Sequence, residues 1–261
     1  MRSRMTHPDV KTPGWGLRLA SVWVLALGWE LLARRMHSLL LPGFVETLVA
    51  LAHLLTTAEL WQALWLSNQA MAIGFSFAAA AGVLLGLVMG RWRRAERYLD
   101  PYLSIVLAVP KSALIPIVIM ATGLGLLSRV LVTFTYAVVT ITVNTRAGLR
   151  MVSPAWMDMA RSFDASEWQL WRKVLVRGAL PGIATGLRQG LARAVSGMVS
   201  VELLLVAVGI GRLILVYEGT FDAANLYATV LVLIGEAVLL VQACHWLERK
   251  MVPWAGPGAA S

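Results

Sequence analysis

Four ionisable residues stand inside otherwise apolar runs of this chain: Lys111, Arg193, Glu202 and Glu236. A charge in hydrocarbon is costly enough that each is a functional candidate. Lys111 and Arg193 fit passage of an anion, because a cation in a low dielectric strongly attracts one. The competing reading is a long side chain snorkelling or capping backbone near a membrane face. Glu202 lies nine residues beyond Arg193, so at about 100° per residue the two project to opposite faces and do not neutralise each other. Glu202 therefore reads first as an interhelical hydrogen-bond partner, with Lys111 and Arg129 as alternative counter-charges, and Glu236 as a buried structural acid. Lys111, Arg193 and Glu202 are the candidate translocation-path residues.

Catalytic chemistry finds little footing. Ser76 follows Gly74-Phe75, but Phe77 stands where an intramembrane serine hydrolase with a Gly-x-Ser-Gly elbow needs glycine. Of the four histidines only His245 falls in an apolar segment. No Gly-x-x-x-x-Gly-Lys-Ser/Thr loop exists to cradle ATP phosphates. The single cysteine, Cys244, has no partner for a disulfide and no neighbours at metal-ligand spacing. The chain reads as no enzyme, with no catalytic residue, bound cofactor or metal of its own.

The elements that must position the four charges follow from composition. Hydrophobic residues make up 58% of the 261 and charged residues 14%, with mean hydropathy +0.71. The apolar residues cluster in long stretches, the pattern that calls for lipid as solvent. Six segments, at about 17–33, 67–90, 101–123, 128–148, 186–208 and 225–247, approach the roughly 20 residues a spanning helix needs. The expected fold is an all-α membrane protein with six transmembrane helices. Pro110, Lys111 and Pro116 break the third segment, which membranes tolerate only where protein or water satisfies the freed backbone groups. The first segment ends in Leu32-Ala33-Arg34-Arg35 without a cleavage site and reads as a retained span.

The net charge of +9 invites a nucleic-acid reading, which the positions of the charges exclude. Seventeen of the 23 Lys and Arg fall in 2–18, 91–97, 146–188 and 249–250, against four at Arg34, Arg35, Arg129 and Arg212. That bias puts both termini on the cytoplasmic side. Trp15, Trp61, Trp65, Trp92, Trp246 and Trp254 lie near segment ends, where amphipathic rings anchor. The domain layout is a cytoplasmic tail at 1–16, a transmembrane domain at 17–252 that includes a cytoplasmic loop at 146–185, and a flexible Pro/Gly/Ala tail at 253–261.

Long ordered loops are usually functional. This one runs from Ser153, placed to cap a helix opening at Pro154, through Trp156-Met157-Asp158-Met159-Ala160-Arg161-Ser162-Phe163-Asp164-Ala165-Ser166 to Arg177-Gly178-Ala179-Leu180-Pro181. It resembles the EAA loop of bacterial ABC importer permeases, whose pattern is roughly E-A-A-R-x-L-G-A-S, a spacer, then V-x-L-P-x-A-x-P and G-L-R. Ala160, Arg161, Ala165, Ser166, Val174, Ala179, Pro181 and Gly186-Leu187-Arg188 match; Asp158, Met159, Phe163, Asp164 and Arg177 replace the Glu, Ala, Leu, Gly and first Pro. Glycine at that position permits positive φ, which Asp tolerates better than most residues. Trp29-Glu30-Leu31-Leu32-Ala33-Arg34 with Leu41-Pro42, and Leu99-Asp100-Pro101 with Val109-Pro110, Pro116, Gly123 and Gly125, are most similar to the sulfonate/taurine/nitrate branch.

The resemblance implies a type I importer permease in a bacterial inner membrane. It implies a second permease copy, a cytoplasmic ATPase subunit that holds the ATP, and a soluble substrate-binding protein. Asp158, Ala160, Arg161, Phe163, Asp164, Ala165 and Ser166 would form the coupling element, on a surface helix with Trp156, Met157, Met159 and Phe163 exposed toward a partner groove. Ala160 and Phe163 would share the docked face. Small anions such as a sulfonate, taurine or nitrate are the implied substrates. The alternatives are an ion-gradient-driven secondary transporter, which also uses broken helices but carries paired repeats that this chain lacks, and the serine hydrolase. The charge asymmetry makes a topology test. Reporter fusions after Arg94, Glu167 or Lys250 should be active inside the cell and those after Glu59 or Glu218 outside; Glu167 found outside would overturn the assignment.

Overall fold

Backbone amides in lipid are satisfied within helices or closed barrels, and the described residues take the helical solution. The computed structural model describes residues 15–36, 40–204 and 206–251, and no strand occurs among them. The expected tail at 253–261, and all but the last two residues of the one at 1–16, lie outside the described residues. The helices are α1 (Trp15–Met36), α2 (Phe44–Leu54), α3 (Ala58–Arg91), α4 (Arg93–Ala108), α5 (Lys111–Thr122), α6 (Leu126–Arg150), α7 (Pro154–Ser162) and α8 (Glu167–Gln169). A π-helical stretch, Leu170–Leu175, then leads into α9 (Val176–Leu204), α10 (Gly209–Gly219) and α11 (Ala223–Met251).

Among the described residues, α3, α6 and α11 are each long and apolar enough to cross a membrane. Two bent pairs, α4 with α5 and the α9 region with α10, qualify jointly, which brings the number to five. The helix α1 covers the first expected segment but is not among those five; it carries Arg18, Glu30, Arg34 and Arg35. The break expected at Pro110 is a 99° bend between α4 and α5. Sequence reading did not find α2, a short apolar helix held to α1 by Trp29, whose indole Nε1 donates to the Pro42 carbonyl at 3.0 Å.

The middle of the fold is three helices side by side, with α6 between α3 and α9. Small residues recur on α3 every fourth position, at Ala70, Gly74, Ala78, Gly82, Gly86 and Gly90, all but Gly90 buried. A Cβ on Gly86 would stand 2.5 Å from Cβ of Thr145, and one on Gly82 would stand 2.8 Å from Cβ of Ile141. On the other side of α6 the backbones themselves touch: a Cβ on Gly148 would lie 2.7 Å from Cα of Gly182. With no hydrophobic force between helices in lipid, such close backbone approach is what holds spanning helices together. Met71 and Ala78 of α3, Ala137 and Ile141 of α6, and Ala194, Val195 and Met198 of α9 fill the layer between the contacts.

This contact yields a measurable expectation. Gly148→Val should force α6 and α9 apart and cost at least about 1–3 kcal/mol, read as a lowered unfolding midpoint in detergent. Gly235→Val, where a new Cβ meets nothing within 4 Å, should stay within about 0.5 kcal/mol.

Candidate functional site

Glu202 is fully buried near the end of α9, at 0% exposure. Ser67 of α3 places its hydroxyl 2.9 and 2.8 Å from the two carboxylate oxygens, and the same Oγ accepts from the Ile210 amide at 2.9 Å. The Gly211 amide donates to Oε2 at 3.2 Å, so the first turn of α10 directs two orphan N–H groups into this cluster. Arg129 of α6 stands 3.5 Å away through Nη1, which also donates to the Leu66 carbonyl at 3.1 Å. The chain turns into α10 through Gly209 at φ +64, where a Cβ would fall 2.2 Å from the Ser67 hydroxyl. Only glycine fits that approach.

Of the two counter-charges considered for Glu202, Arg129 is the one present, and it is a buried core residue, not an exterior loop charge. Glu202 thus ties α3, α6, α9 and α10 into one buried polar knot. Both of its carboxylate oxygens are engaged there. Glu236 likewise accepts from the Asn68 amide of α3.

Lys111 and Arg193 lie elsewhere. Lys111 opens α5 directly after Pro110, and its Nζ stands 5.7 Å from the ring centre of Tyr136 on α6. Tyr136 in turn packs on α9, its Cγ 2.8 Å from where a Gly197 Cβ would be. Arg193, about one turn before Gly197, is exposed and near enough for its charge to act on Lys111. Gln189, Arg193 and Ser196 are exposed and Ser200 half-buried along one face of α9, whereas Gly190, Ala194, Val195, Gly197 and Met198 are buried on the other. The Asn144 amide of α6 donates to Gln189 Oε1 at 3.2 Å. A polar face inside an apolar helix marks the side that meets water or a polar solute.

The third place is α7. It opens at Pro154 as the sequence indicates, but the Ser153 side chain makes no cap bond. Its end is a Schellman turn: Ala165 N–H donates to the Ala160 carbonyl at 3.1 Å and Asp164 N–H to the Arg161 carbonyl at 2.9 Å. Asp164 supplies the left-handed residue at φ 52, the position the family pattern gives to glycine. Ser166 then caps α8, accepting from Gln169 N at 3.3 Å while Gln169 Oε1 accepts from Ser166 N at 3.0 Å.

The spacing Ala-Arg-x-x-Asp-Ala-Ser is therefore one helix stop followed by one helix start. Arg161 reaches Asp158 at 3.9 Å and Glu167 at 4.0 Å, and Arg91 at the end of α3 reaches Glu167 at 3.4 Å.

The faces of α7 differ from the expected arrangement. Met157 and Ala160 are half-buried against Leu149, Val152, Leu170, Leu175, Ala179 and Ile183. Trp156, Met159, Phe163 (81% exposed) and Trp168 (73%) point away. Ala160 is the anchor of this helix and Phe163 its free edge, so the two do not share a face. A π turn closes i→i+5, which lets Leu170 and Leu175 both press on the same core.

Spanning helices locked by glycine, a polar face within the apolar belt and an aromatic-edged helix outside it define a membrane transport component. Residues 82–253 match the family described as binding-protein-dependent transport system inner membrane component, and the chain belongs to that family. Its members are transport permeases, not enzymes. Consistent with this, the Ser76 hydroxyl is spent on the Ala72 carbonyl at 2.7 Å.

The chain is 29% identical over 251 residues, 95% of its length and 90% of the relative's, to the putative aliphatic sulfonates transport permease protein SsuC of Bacillus subtilis (strain 168). It is 33% identical over 200 residues, 77% of its length and 75% of the relative's, to the riboflavin transport system permease protein RibX of Chloroflexus aurantiacus. Its fold is similar to a chain of the MetNI methionine ABC transporter in inward-facing conformations. The TM-score is 0.59 at 21% identity, over 74% of this chain and 94% of that one.

The knot can be tested by substitution. Glu202→Leu strands Arg129, Ser67 and the Gly211 amide without their acceptor and should cost about 3–5 kcal/mol. Glu202→Gln keeps an acceptor and should lose clearly less, and Arg129→Met should recover part of the Leu loss. Thermal unfolding in detergent measures all three. Equal losses for Gln and Leu would show that the hydrogen bonds are not what holds Glu202.

Proposed function

We infer that this chain is the pore-forming permease of an ATP-driven importer, with α7 as the element that docks on a separate ATPase subunit. The observation that carries the reading is the division of α7. Met157 and Ala160 fix it to the core beneath α6 and α9, and Trp156, Met159 and Phe163 are left uncovered. An apolar edge held rigidly outside the spans suits a partner groove. In this reading Asp158, Arg161, Asp164, Ala165 and Ser166 shape the element, Ala160 seats it and Phe163 makes contact. The ATP belongs to the partner. Two copies of the chain surround the path, six spans per copy with both termini in the cytoplasm of a bacterial cell, and a soluble binding protein delivers substrate from outside.

The path runs along the polar face of α9, past Lys111 and Arg193. The substrate is a small anion such as a sulfonate, taurine or nitrate. The cationic lining and the similarity to an aliphatic sulfonates permease support that choice over a larger heterocycle of the riboflavin kind. ATP-driven closure of the ATPases would move the paired α7 helices as rigid bodies and shift the balance between two pore states.

Replacing Phe163 or Met159 by Glu puts a charge on the docked edge, where it would have to be desolvated. ATPase co-purification should drop at least about tenfold while the unfolding temperature of the chain holds. Asp164→Gly enters positive φ without a Cβ and should preserve or strengthen docking. Ala160→Arg should weaken docking and stability together, since its side chain would be driven into the core. Full ATPase binding by Phe163→Glu and Met159→Glu alike would remove α7 from the coupling role.

A further inference from the structure

Among the described residues each acid in the spans near α9 has a partner other than Lys111 and Arg193, although Glu236 keeps one buried oxygen without one. Glu202 is held by Arg129, Ser67 and Gly211, Glu236 by Asn68, and at the cytoplasmic end Glu248 by Arg188 at 3.1 Å. Arg146 of α6 pairs with Glu96 and Asp100 of α4. Against that background Lys111 and Arg193 stand out. Among the described residues neither makes an ion pair or a side-chain hydrogen bond; Lys111 has only the Tyr136 ring face.

Arg193 lies five residues, about 7 Å along α9, deeper than the paired Arg188. Two neighbouring cations in a low-dielectric region repel each other and cost desolvation energy, and nothing in the fold compensates them. A structural role would have given them a carboxylate, as it did for Arg129 and Arg188.

The groups around them complete a recognition set. Arg193 offers a planar fork of N–H donors and Lys111 a point charge, and both are free to donate. Ser196 stands about one turn beyond Arg193 on the same face, its hydroxyl donating to the Ala192 carbonyl at 3.1 Å, and the Asn144–Gln189 amide pair lies one turn before it. Tyr136 steadies the ammonium through its ring without using its hydrogen bonds. The free donors are those of Lys111 and Arg193 themselves, and among the described residues no carboxylate pairs with either.

We propose that Lys111 and Arg193 form a charge filter in the translocation path, an oxyanion-binding station by which the permease itself selects anionic over neutral or cationic solutes. The proposal rests on the permease reading and adds that selection is not left to the binding protein alone.

The test uses the full chain in membrane vesicles, with Cys244→Ser removing the single native thiol and Ser196→Cys placing one beside Arg193. Two methanethiosulfonate reagents of similar size, one bearing a sulfonate and one a trimethylammonium group, form a mixed disulfide with that thiol and release methanesulfinate. Rates are normalised to those of a free thiol in solution. The sulfonate reagent should react at least about tenfold faster, the gain expected for a site of one charge sign. Lys111→Gln with Arg193→Gln should bring the ratio within about twofold of unity, and Arg193→Lys should keep the preference. Should the double variant not accumulate, each single Gln substitution should lower the ratio at least about threefold.

No labelling by either reagent would mean that this face is sealed and would overturn the proposal. Equal labelling of the unneutralised chain, or a preference that survives both Gln substitutions, would overturn it as well. The ratio requires no ATPase, so the filter can fail while the ATPase still co-purifies, and the permease reading can fail while the ratio stands.

Discussion

The contact between Gly148 and Gly182 sets the geometry from which the rest follows. It brings the α6 and α9 backbones together without side chains between them, and the stripe on α3 does nearly the same from the other side. Helix α6 is thereby a pillar whose rotation is fixed by both neighbours. With that rotation fixed, Arg129 near its far end must face inward, where Ser67 of α3 and Glu202 of α9 meet it. The knot is the electrostatic counterpart of the glycine contacts: small residues close the bundle at the α7 end and along its length, and a satisfied charge pair closes it at the other. A buried ion pair alone is a weak stabiliser, but this one carries a serine and two amides of a helix N-terminus, which offset its desolvation.

The same packing explains why the charges divide into two kinds. Where α6 and α9 meet their neighbours face to face, each charge has found a partner. On the exposed face of α9, near the start of α5, Lys111 and Arg193 stand without one. The 99° bend at Pro110 sets where α5 begins, and so places Lys111, its first residue, over the Tyr136 ring of α6. The proline that breaks the helix and the lysine that follows it therefore act together, the first starting α5 and the second standing at its head against Tyr136.

Much of this was legible in the residues. The opening of α7 at Pro154, the turn at Asp164, the break at Pro110 and the opposite projection of Glu202 and Arg193 all follow from local chemistry or helical period, which a sequence displays directly. The four-residue stripe of Ala and Gly on α3 was also there to be seen, but a search for long repeats passes over a spacing so short. Other features depend on what lies across a gap. Ser67 is one polar residue in an apolar run until Glu202 stands opposite it, and Arg129 looks like a loop charge until the end of α6 is placed. Met157 and Ala160 cannot be told from Met159 and Phe163 by type; only the position of Leu149 and Leu175 decides which side of α7 is inside. The short helix α2 went unread because its 11 residues fall below the length of a span.

That inside face has a mechanical consequence under the proposed coupling. Met157 and Ala160 bear on Leu149 at the end of α6 and on Leu175 and Ala179 at the start of α9. These residues flank the Gly148–Gly182 contact, where the two backbones touch. A displacement of α7 therefore enters where α6 and α9 are least able to move relative to each other, and a close-packed core passes it on as rigid motion. Helix α3 is joined to the same region by its own glycines and by the Arg91–Glu167 pair, so it moves with them. The α4 arm of the α4–α5 elbow is the exception. It meets α6 through the salt bridges of Glu96 and Asp100 with Arg146 and Arg150, which can re-form in shifted positions more readily than the interlocked side chains of α5, whose buried Ile115 packs with Val132 of α6 and Val201 of α9. Motion driven at α7 would thus shift α4 against the α3–α6–α9 block, while α5, which carries Lys111, stays with α6 and α9 through Ile115.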